Sequence, residues 1–505
     1  MHKGSFVMDY EYLLAGKLKR GFIRIRESFK SFPSRALLFF INLPRNIGAV
    51  FIKIYSHFKE IVKIFVLGDM ATKLSFVVMG MGCIARKRFI RGFLYLLLQV
   101  LFWFFFLTFG VVYIAGLGTL GTVSQLEVYN EGTGIFEYVK GDNSMLILLY
   151  GIVSLFLVVL YIALYFSSIR ECYRTEMLKK RGGQIPFFSD DVQDLMDKDF
   201  HKSLIFVPSV MIICFTILPI IFMVCLAFTN YDRLHMPPGN LFTWVGFENF
   251  RSIMGFSDSS LLAKTFGKIL GWTFVWAFFA TGTNYIFGML LAMMINKKGI
   301  KFKRLFRTVF VLTIAVPQFV SLMFMRNVFA DTGLFNVFLQ SAGIISEPVK
   351  FLTDGDIARV VVIFINMWVG IPYTMLITTG ILMNIPNDLY ESARIDGAGT
   401  AKQFFAITLP YMLFVTAPYL ITQFIGNINN FNVIWLLTNG GPMTSDMYAS
   451  GRTDLLITWL YRLTTGEQNY KIASVIGIFT FIISAVFSLI VYNYSGSARR
   501  EGEFQ

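Results

Sequence analysis

Four side-chain amides, Gln423, Asn427, Asn429 and Asn430, fall within eight residues of an otherwise apolar stretch. An amide carries donors and an acceptor but no charge, so it can exchange hydrogen bonds with an uncharged, hydroxyl-rich solute. That density exceeds what helix-to-helix hydrogen bonding needs. Isolated amides in other apolar stretches, Asn284 and Gln318, read more simply as interhelical glue. Trp368, Tyr373 and Phe424 lie near Asn366 and the amide run, where an aromatic face can cover the apolar side of a sugar ring. For each of them, packing or anchoring at a membrane interface is an equal reading.

Other chemistries lack their residues. The apolar stretches hold no Asp, Glu or His at mid-depth, where ion-coupled carriers place them despite a cost of about 2.5–3.5 kcal/mol. No GxxxxGK[ST] phosphate loop is present, so ATP hydrolysis by that route would need a partner. Cys83, Cys172, Cys214 and Cys225 have no CxxC spacing, which argues against a disulfide framework or a zinc site. The net charge of +14 does not point to nucleic acid, because the basic residues cluster beside apolar runs.

A second constellation lies at 386–410. Asp388 followed by Glu391 is a helix-start signal, Asp capping and Glu reaching back. Leu389, Ala393 and Asp396 share a face, Gly397 and Gly399 permit a sharp turn, and a second short helix is predicted over 400–407. Pro410 suits the first turn of the helix that follows. Small Ala393, Ala398 and the two glycines would let another protein approach the backbone closely. An ordinary inter-helix loop is the competing reading.

These residues are positioned by membrane spans. The chain is 55% apolar and only 15% charged, against about 25% charged in an average soluble domain. Eight stretches are long enough to cross a bilayer: 93–116, 146–167, 204–228, 266–296, 306–326, 357–384, 411–431 and 472–494. The fold class is therefore an all-α polytopic membrane protein. Arg86, Lys87, Arg88 and Arg91 precede the first span. Arg170, Arg174, Lys179, Lys180 and Arg181 follow the second, and Lys297, Lys298, Lys301, Lys303 and Arg304 the fourth. Between the first two spans there is only Lys140. The positive-inside rule then puts both termini, and the 386–410 loop, in the cytoplasm. Lys268, Arg359 and Lys471 sit at span ends, within reach of headgroups. Residues 1–92 form a basic, non-spanning region. There Phe51, Ile54, Tyr55, Phe58 and Val62 recur at helical spacing among Lys53, His57, Lys59 and Lys63. That helix suits the inner leaflet or, almost equally, packing on other cytoplasmic parts. Residues 93–203 hold two further spans and a linker at 182–203, and 204–505 a six-span core.

The 386–410 segment resembles the EAA loop of ABC importer permeases, EAAxxDGAxxxxxFxxIxLP. Glu391, Ala393, Asp396, Gly397, Ala398, Phe404, Ile407, Leu409 and Pro410 match, with Ser392 in place of an alanine. Residues 427–442, ending Asn439-Gly440-Gly441-Pro442, and the stretch Asn366–Tyr373 resemble the larger permease subunit of maltose/maltodextrin-type systems, over roughly 70–505. The resemblance implies a bacterial cytoplasmic-membrane permease with a six-span core and two added N-terminal spans. It implies that Glu391, Ser392, Ala393, Asp396, Gly397, Ala398 and Gly399 dock in an ATPase. It also implies a sugar site at Asn366, Val369, Gly370, Tyr373, Gln423, Gly426, Asn427 and Asn430. The implied partners are a second permease subunit, two ATPase subunits that bind ATP and Mg, an extracellular solute-binding lipoprotein and an oligosaccharide. No cofactor or metal is expected in this chain. Gln423 and Gly426 depart from the maltose pattern of a small hydroxyl residue and an aromatic, which argues against maltose itself. The short 229–265 loop lacks the large insertion of Gram-negative maltose permeases. A permease for phosphate, metal or amino acid, a membrane-embedded enzyme using Asp388, Glu391 and Asp396, and a non-transporting assembly subunit are the alternatives.

Overall fold

Hydrocarbon offers the backbone no hydrogen-bond partner, so a chain of this composition satisfies its own amides in helices. A computed structural model describes residues 55–132, 134–256, 260–297 and 299–494. The expectations for Phe51, Lys53, Ile54 and Lys298 lie outside these residues. Among the described residues, seven helices are long and apolar enough to cross a membrane: Phe89–Gly116, Ser144–Lys180, Phe200–Leu226, Leu261–Asn296, Gly355–Leu382, Thr400–Thr438 and Tyr470–Val491. A bent pair of helices makes an eighth if the two are taken as one span. The expected straight span 306–326 is two helices, Lys303–Ala315 and Gln318–Val328, bent by 91°. The break sits at Val316-Pro317. Proline has no N–H and pushes the residue before it out of the helical region, and Val316 is extended at φ −75°, ψ 124°.

Other boundaries shift for equally local reasons. The second span runs on as helix to Lys180, so Arg170, Arg174 and Lys179 are helical rather than in a loop. The linker expected at 182–203 contains a helix, Phe188–Met196. The all-α expectation omits one hairpin, β1 (Glu127–Asn130) and β2 (Ile135–Tyr138), antiparallel with Glu127 opposite Tyr138. Just past β2, the Asp142 carboxylate accepts the Thr122 and Val123 N–H groups at 2.8 and 3.0 Å.

The chain forms two compact units. One comprises the described residues up to 115 together with 150–218. In it, helix 55–67 buries Ile61 and Ile64 against Ile169, Tyr165 and Phe166, while Tyr55, Phe58, Val62 and Phe65 stay exposed. Arg86 and Arg88, read from sequence as topology markers, are buried counter-ions. Arg86 donates to Asp69 at 2.7 Å and lies 3.4 Å from Glu176, and Arg88 reaches Glu171 at 2.7 Å and Asp191 at 2.5 Å. Burial alone would raise the Asp69 carboxyl, but the Thr72 N–H and Arg86 outweigh it and hold the group below its ordinary value. Two thiols separated by 89 residues meet here: Cys83 and Cys172, both buried and unbridged, touch at 3.3 Å.

The second unit comprises residues 116–149 and the described residues from 219 onward. Its core gathers Trp272 and Trp276 of the fourth span, Val361, Val362 and Ile365 of the sixth, and Val433 and Ile434. The cations at its span ends are tied to protein groups rather than free for headgroups. Lys268 pairs with Asp446 at 2.6 Å and Lys471 with Asp232 at 2.7 Å. Arg359 donates to the Arg452 carbonyl and stands 4.7 Å over the Trp272 ring. The fourth and sixth spans pack closely at Gly288, where an added Cβ would fall 2.7 Å from Thr374 Cβ and 3.1 Å from the Met375 nitrogen. Gly288→Ala should therefore cost about 1–3 kcal/mol through overpacking. Gly380→Ala, where a Cβ meets nothing within 4 Å, should be neutral or stabilising. Thermal unfolding of the purified variants compares the two, and equal midpoints would contradict the close-contact reading.

Candidate solute cavity and coupling loop

The bend at Val316-Pro317 turns the fifth span into a wall. A cavity of about 750 Å³ lies between it and the fourth, sixth and seventh spans. The fourth span contributes Asn284. The broken fifth contributes Thr313, Pro317, Gln318, Ser321 and Phe324, and the sixth Asn366, Trp368, Val369, Gly370, Tyr373 and Thr374. Tyr419, Gln423, Asn427 and Asn430 come from the seventh. The volume is within the usual range for small-molecule sites, about 300–1,000 Å³. None of the lining residues is Asp, Glu, Lys, Arg or His. Polarity comes from amides and hydroxyls, with Trp368 and Tyr373 as aromatic surface.

Seven of the eight expected sugar-site residues thus share one cavity: Asn366, Val369, Gly370, Tyr373, Gln423, Asn427 and Asn430. Gly426 does not line it. At 100° per residue it is rotated about 60° from Gln423 and lies to the side of the face that Gln423 and Asn427 share. A Cβ at Gly426 would meet nothing within 4 Å. Phe424 is also elsewhere, stacked on Phe487 at 4.1 Å.

The amides divide into two kinds. Asn427 and Asn430 belong to a protein network. Asn427 Nδ2 donates to Thr281 Oγ1 at 2.9 Å, and its carbonyl accepts the Trp276 indole N–H at 3.0 Å. Asn430 donates to Asn427 Oδ1 and accepts the Val433 N–H, capping helix Phe431–Thr438. For these two the glue reading holds in part, because each Nδ2 keeps a second hydrogen. Asn429 only bonds back to the Ile425 carbonyl. Asn284 Oδ1 and Asn366 Nδ2, in contrast, are buried without a partner. Sequence reasoning assigned Asn284 and Gln318 to packing, and both line the cavity. Thr374 and Tyr419, whose hydroxyls meet at 3.2 Å, carry no sequence signal at all. The Val-Pro pair inside an apolar run is the signal that marks the fifth span as irregular.

The 386–410 loop is a helix, a glycine turn and a second helix. Helix Asn387–Ile395 starts after Pro386, with Asp388 inside the first turn rather than at the cap. Gly397 adopts φ +74°, a left-handed value that glycine accepts without strain. The Ala398 N–H closes the turn on the Ala393 carbonyl at 2.8 Å, and Gln403 Nε2 donates to the Ala398 carbonyl at 2.7 Å. The second helix is not a separate element. Thr400–Gln403 passes through a π-turn, Phe404–Thr408, directly into the seventh span at Leu409. Tyr390 Oη and Thr408 Oγ1 meet at 2.9 Å and brace the two arms. Glu391, Ser392, Asp396, Gly397 and Gly399 are exposed, Ala393 and Ala398 partly so. Ile395, an apolar side chain, is 87% exposed at the tip.

Residues 284–500 match the family described as binding-protein-dependent transport system inner membrane component. The galactooligosaccharides transport system permease protein GanP of Bacillus subtilis is 33% identical over 413 residues, 81% of this chain and 94% of that protein. The maltodextrin transport system permease protein MdxF of the same organism is 33% identical over 433 residues, 84% of this chain and 95% of that protein. The maltose/maltodextrin transport system permease protein MalF of Escherichia coli is 34% identical over 266 residues, 52% of this chain and 51% of that protein. With two relatives at one-third identity over nearly their whole length, and with the helix–glycine–helix loop between its sixth and seventh spans, the chain belongs to the carbohydrate-uptake branch of the ABC importer permeases.

Proposed function

We propose that the chain carries a neutral oligosaccharide through the cavity between its fourth to seventh spans, by alternating access. The observation that carries this reading is the lining: about 750 Å³ of amides, hydroxyls and aromatic faces without one ionised side chain. A sugar's hydroxyls exchange hydrogen bonds with such groups, and its C–H faces stack on Trp368 and Tyr373. A phosphate, an amino acid zwitterion or a metal ion would need charge that the lining lacks. Relatives named for maltodextrin and galactooligosaccharide transport support the same solute class. Gly426 stands clear of the cavity, so the departure from the maltose pattern that bears on the solute is Gln423, an amide in place of a small hydroxyl residue on the lining.

In this reading a second permease subunit completes the path, and an extracellular solute-binding lipoprotein delivers the sugar. Two ATPase subunits bind ATP and Mg, and the termini lie in the cytoplasm beside them. The exposed face of helix Asn387–Ile395 docks in an ATPase cleft. Ile395 fits a contact role, since a nearly bare isoleucine at a loop tip gains by burial against a partner. Gly397 sets the turn that presents this face.

Uptake by the complete importer tests both parts. Gly397→Pro, which cannot reach φ +74°, and Glu391→Ala should lower oligosaccharide uptake at least about tenfold while sugar binding by the extracellular protein is unchanged. Normal uptake in both would remove the docking role. Tyr373→Ala should reduce uptake of a maltodextrin or galactooligosaccharide panel while the variant still co-purifies with its ATPase. Full uptake in that variant would place the path elsewhere.

A further inference from the structure

Two buried polar atoms of cavity-lining residues lack partners, one an acceptor and the other a donor. Asn284 Oδ1, on the fourth span, is an acceptor, and Asn366 Nδ2, on the sixth, is a donor. Asn366 itself is only 4% exposed. Gly370 stands one helical turn beyond Asn366, and the Asn284 amide lies directly against it. A Cβ on Gly370 would fall 2.0 Å from Asn284 Nδ2 and 2.8 Å from its Oδ1. The missing side chain at 370 therefore makes the space that Asn284 occupies. That close fit holds the carboxamide at the cavity wall, and no protein group satisfies its oxygen. A buried, preorganised acceptor without a partner is what a solute hydroxyl can satisfy, and a site built this way rejects analogues that lack the hydroxyl.

We propose that Asn284 is a specificity-determining residue of the solute path. It accepts a hydrogen bond from one sugar hydroxyl, while Asn366 donates to the same hydroxyl or to its vicinal neighbour. A hydroxyl donates one hydrogen bond and accepts others, so sugar hydroxyls offer both the donor that Asn284 Oδ1 lacks and the acceptor that Asn366 Nδ2 lacks. The inference rests on the cavity being the sugar path, and it names the group that reads the sugar there. It also gives Gly370 a role that needs no direct sugar contact: it positions Asn284.

The test uses the complete importer in proteoliposomes, with maltotriose and β-1,4-linked galactotriose as probes. Whichever probe the wild type carries is then compared with its monodeoxy analogues. Asn284→Leu should lower uptake of the parent trisaccharide about 5- to 10-fold, the worth of one hydrogen bond. For one monodeoxy analogue, wild type and Asn284→Leu should be alike, because the hydroxyl that Asn284 reads is already missing. Asn284→Ala, which removes the amide without adding bulk, should repeat the pattern, and co-purification with the partner subunits checks assembly of both. Parent uptake equal to wild type would overturn the proposal. So would a loss of equal size for the parent and every analogue, which marks a packing residue. Tyr373→Ala separates the two levels. If it impairs uptake while Asn284→Leu does not, only the role of Asn284 fails. If neither impairs uptake, the cavity is not the path and both fail.

Discussion

At Gly288 the fourth and sixth spans come together with no room for even a methyl group between them, and Thr374 and the Met375 backbone fill the gap. Small residues at such crossings let helices in lipid gain the van der Waals contact that drives their association. The polar wall follows from this crossing. One turn toward the other end of the fourth span, Asn284 meets the second glycine, Gly370. Between them Tyr285 turns the other way and shares a hydrogen bond with Thr416 of the seventh span at 2.8 Å. Further along, Trp276 donates to the Asn427 carbonyl. The fourth span thus holds the sixth and the seventh at fixed separations, and the cavity is the space left beside it.

The fifth span closes that space because it is not a straight helix. A continuous helix over 306–326 would present one narrow face. The break at Val316-Pro317 instead turns two short helices by 91° and sets Thr313, Gln318 and Ser321 on the same cavity. Irregular backbone at membrane depth is tolerated where it lines a cavity or is covered by protein. The break therefore belongs with the cavity.

Much of this is legible in the residues, and the illegible part has a common cause. Apolar runs announce spans because length and composition are local properties, and the turn at Gly397 is local too. Val316-Pro317 was equally readable as a bend. Lateral placement was not readable. Asn284 looks like any buried amide until Gly370, 86 positions on, is known to lie under it. Gly426 and Phe424 sit beside true lining residues in sequence, yet a turn of 60° about the helix axis, or a stack on Phe487, takes them away. Arg86 and Arg88 follow the charge rule that locates the inner side, but their burial against Glu176, Glu171 and Asp191 depends on how distant segments fold back.

The loop and the cavity share two helices, and this bears on how an event at one is felt at the other. The sixth span runs as helix from Gly355 to Leu382 and carries Asn366, Gly370 and Tyr373. Beyond the loop, helix continues from Thr400 through the π-turn to Ile428 and carries Gln423 and Asn427. The Tyr390–Thr408 bond ties helix Asn387–Ile395 to the base of the second arm, so displacement of the exposed face loads the seventh span without an intervening flexible loop. The sixth span leads into the loop directly, its helix ending at Leu382 just before helix Asn387–Ile395, and its glycine contacts tie it to the fourth. A docking partner that moves the loop would then shift Gln423 and Asn427 relative to Asn366 and Asn284, changing the spacing between the two halves of the polar lining. Hydrogen bonds are short and directional, and lengthening one by an ångström loses most of it. On the proposed function, the spacing between these two halves of the lining is the quantity that docking at the loop would change.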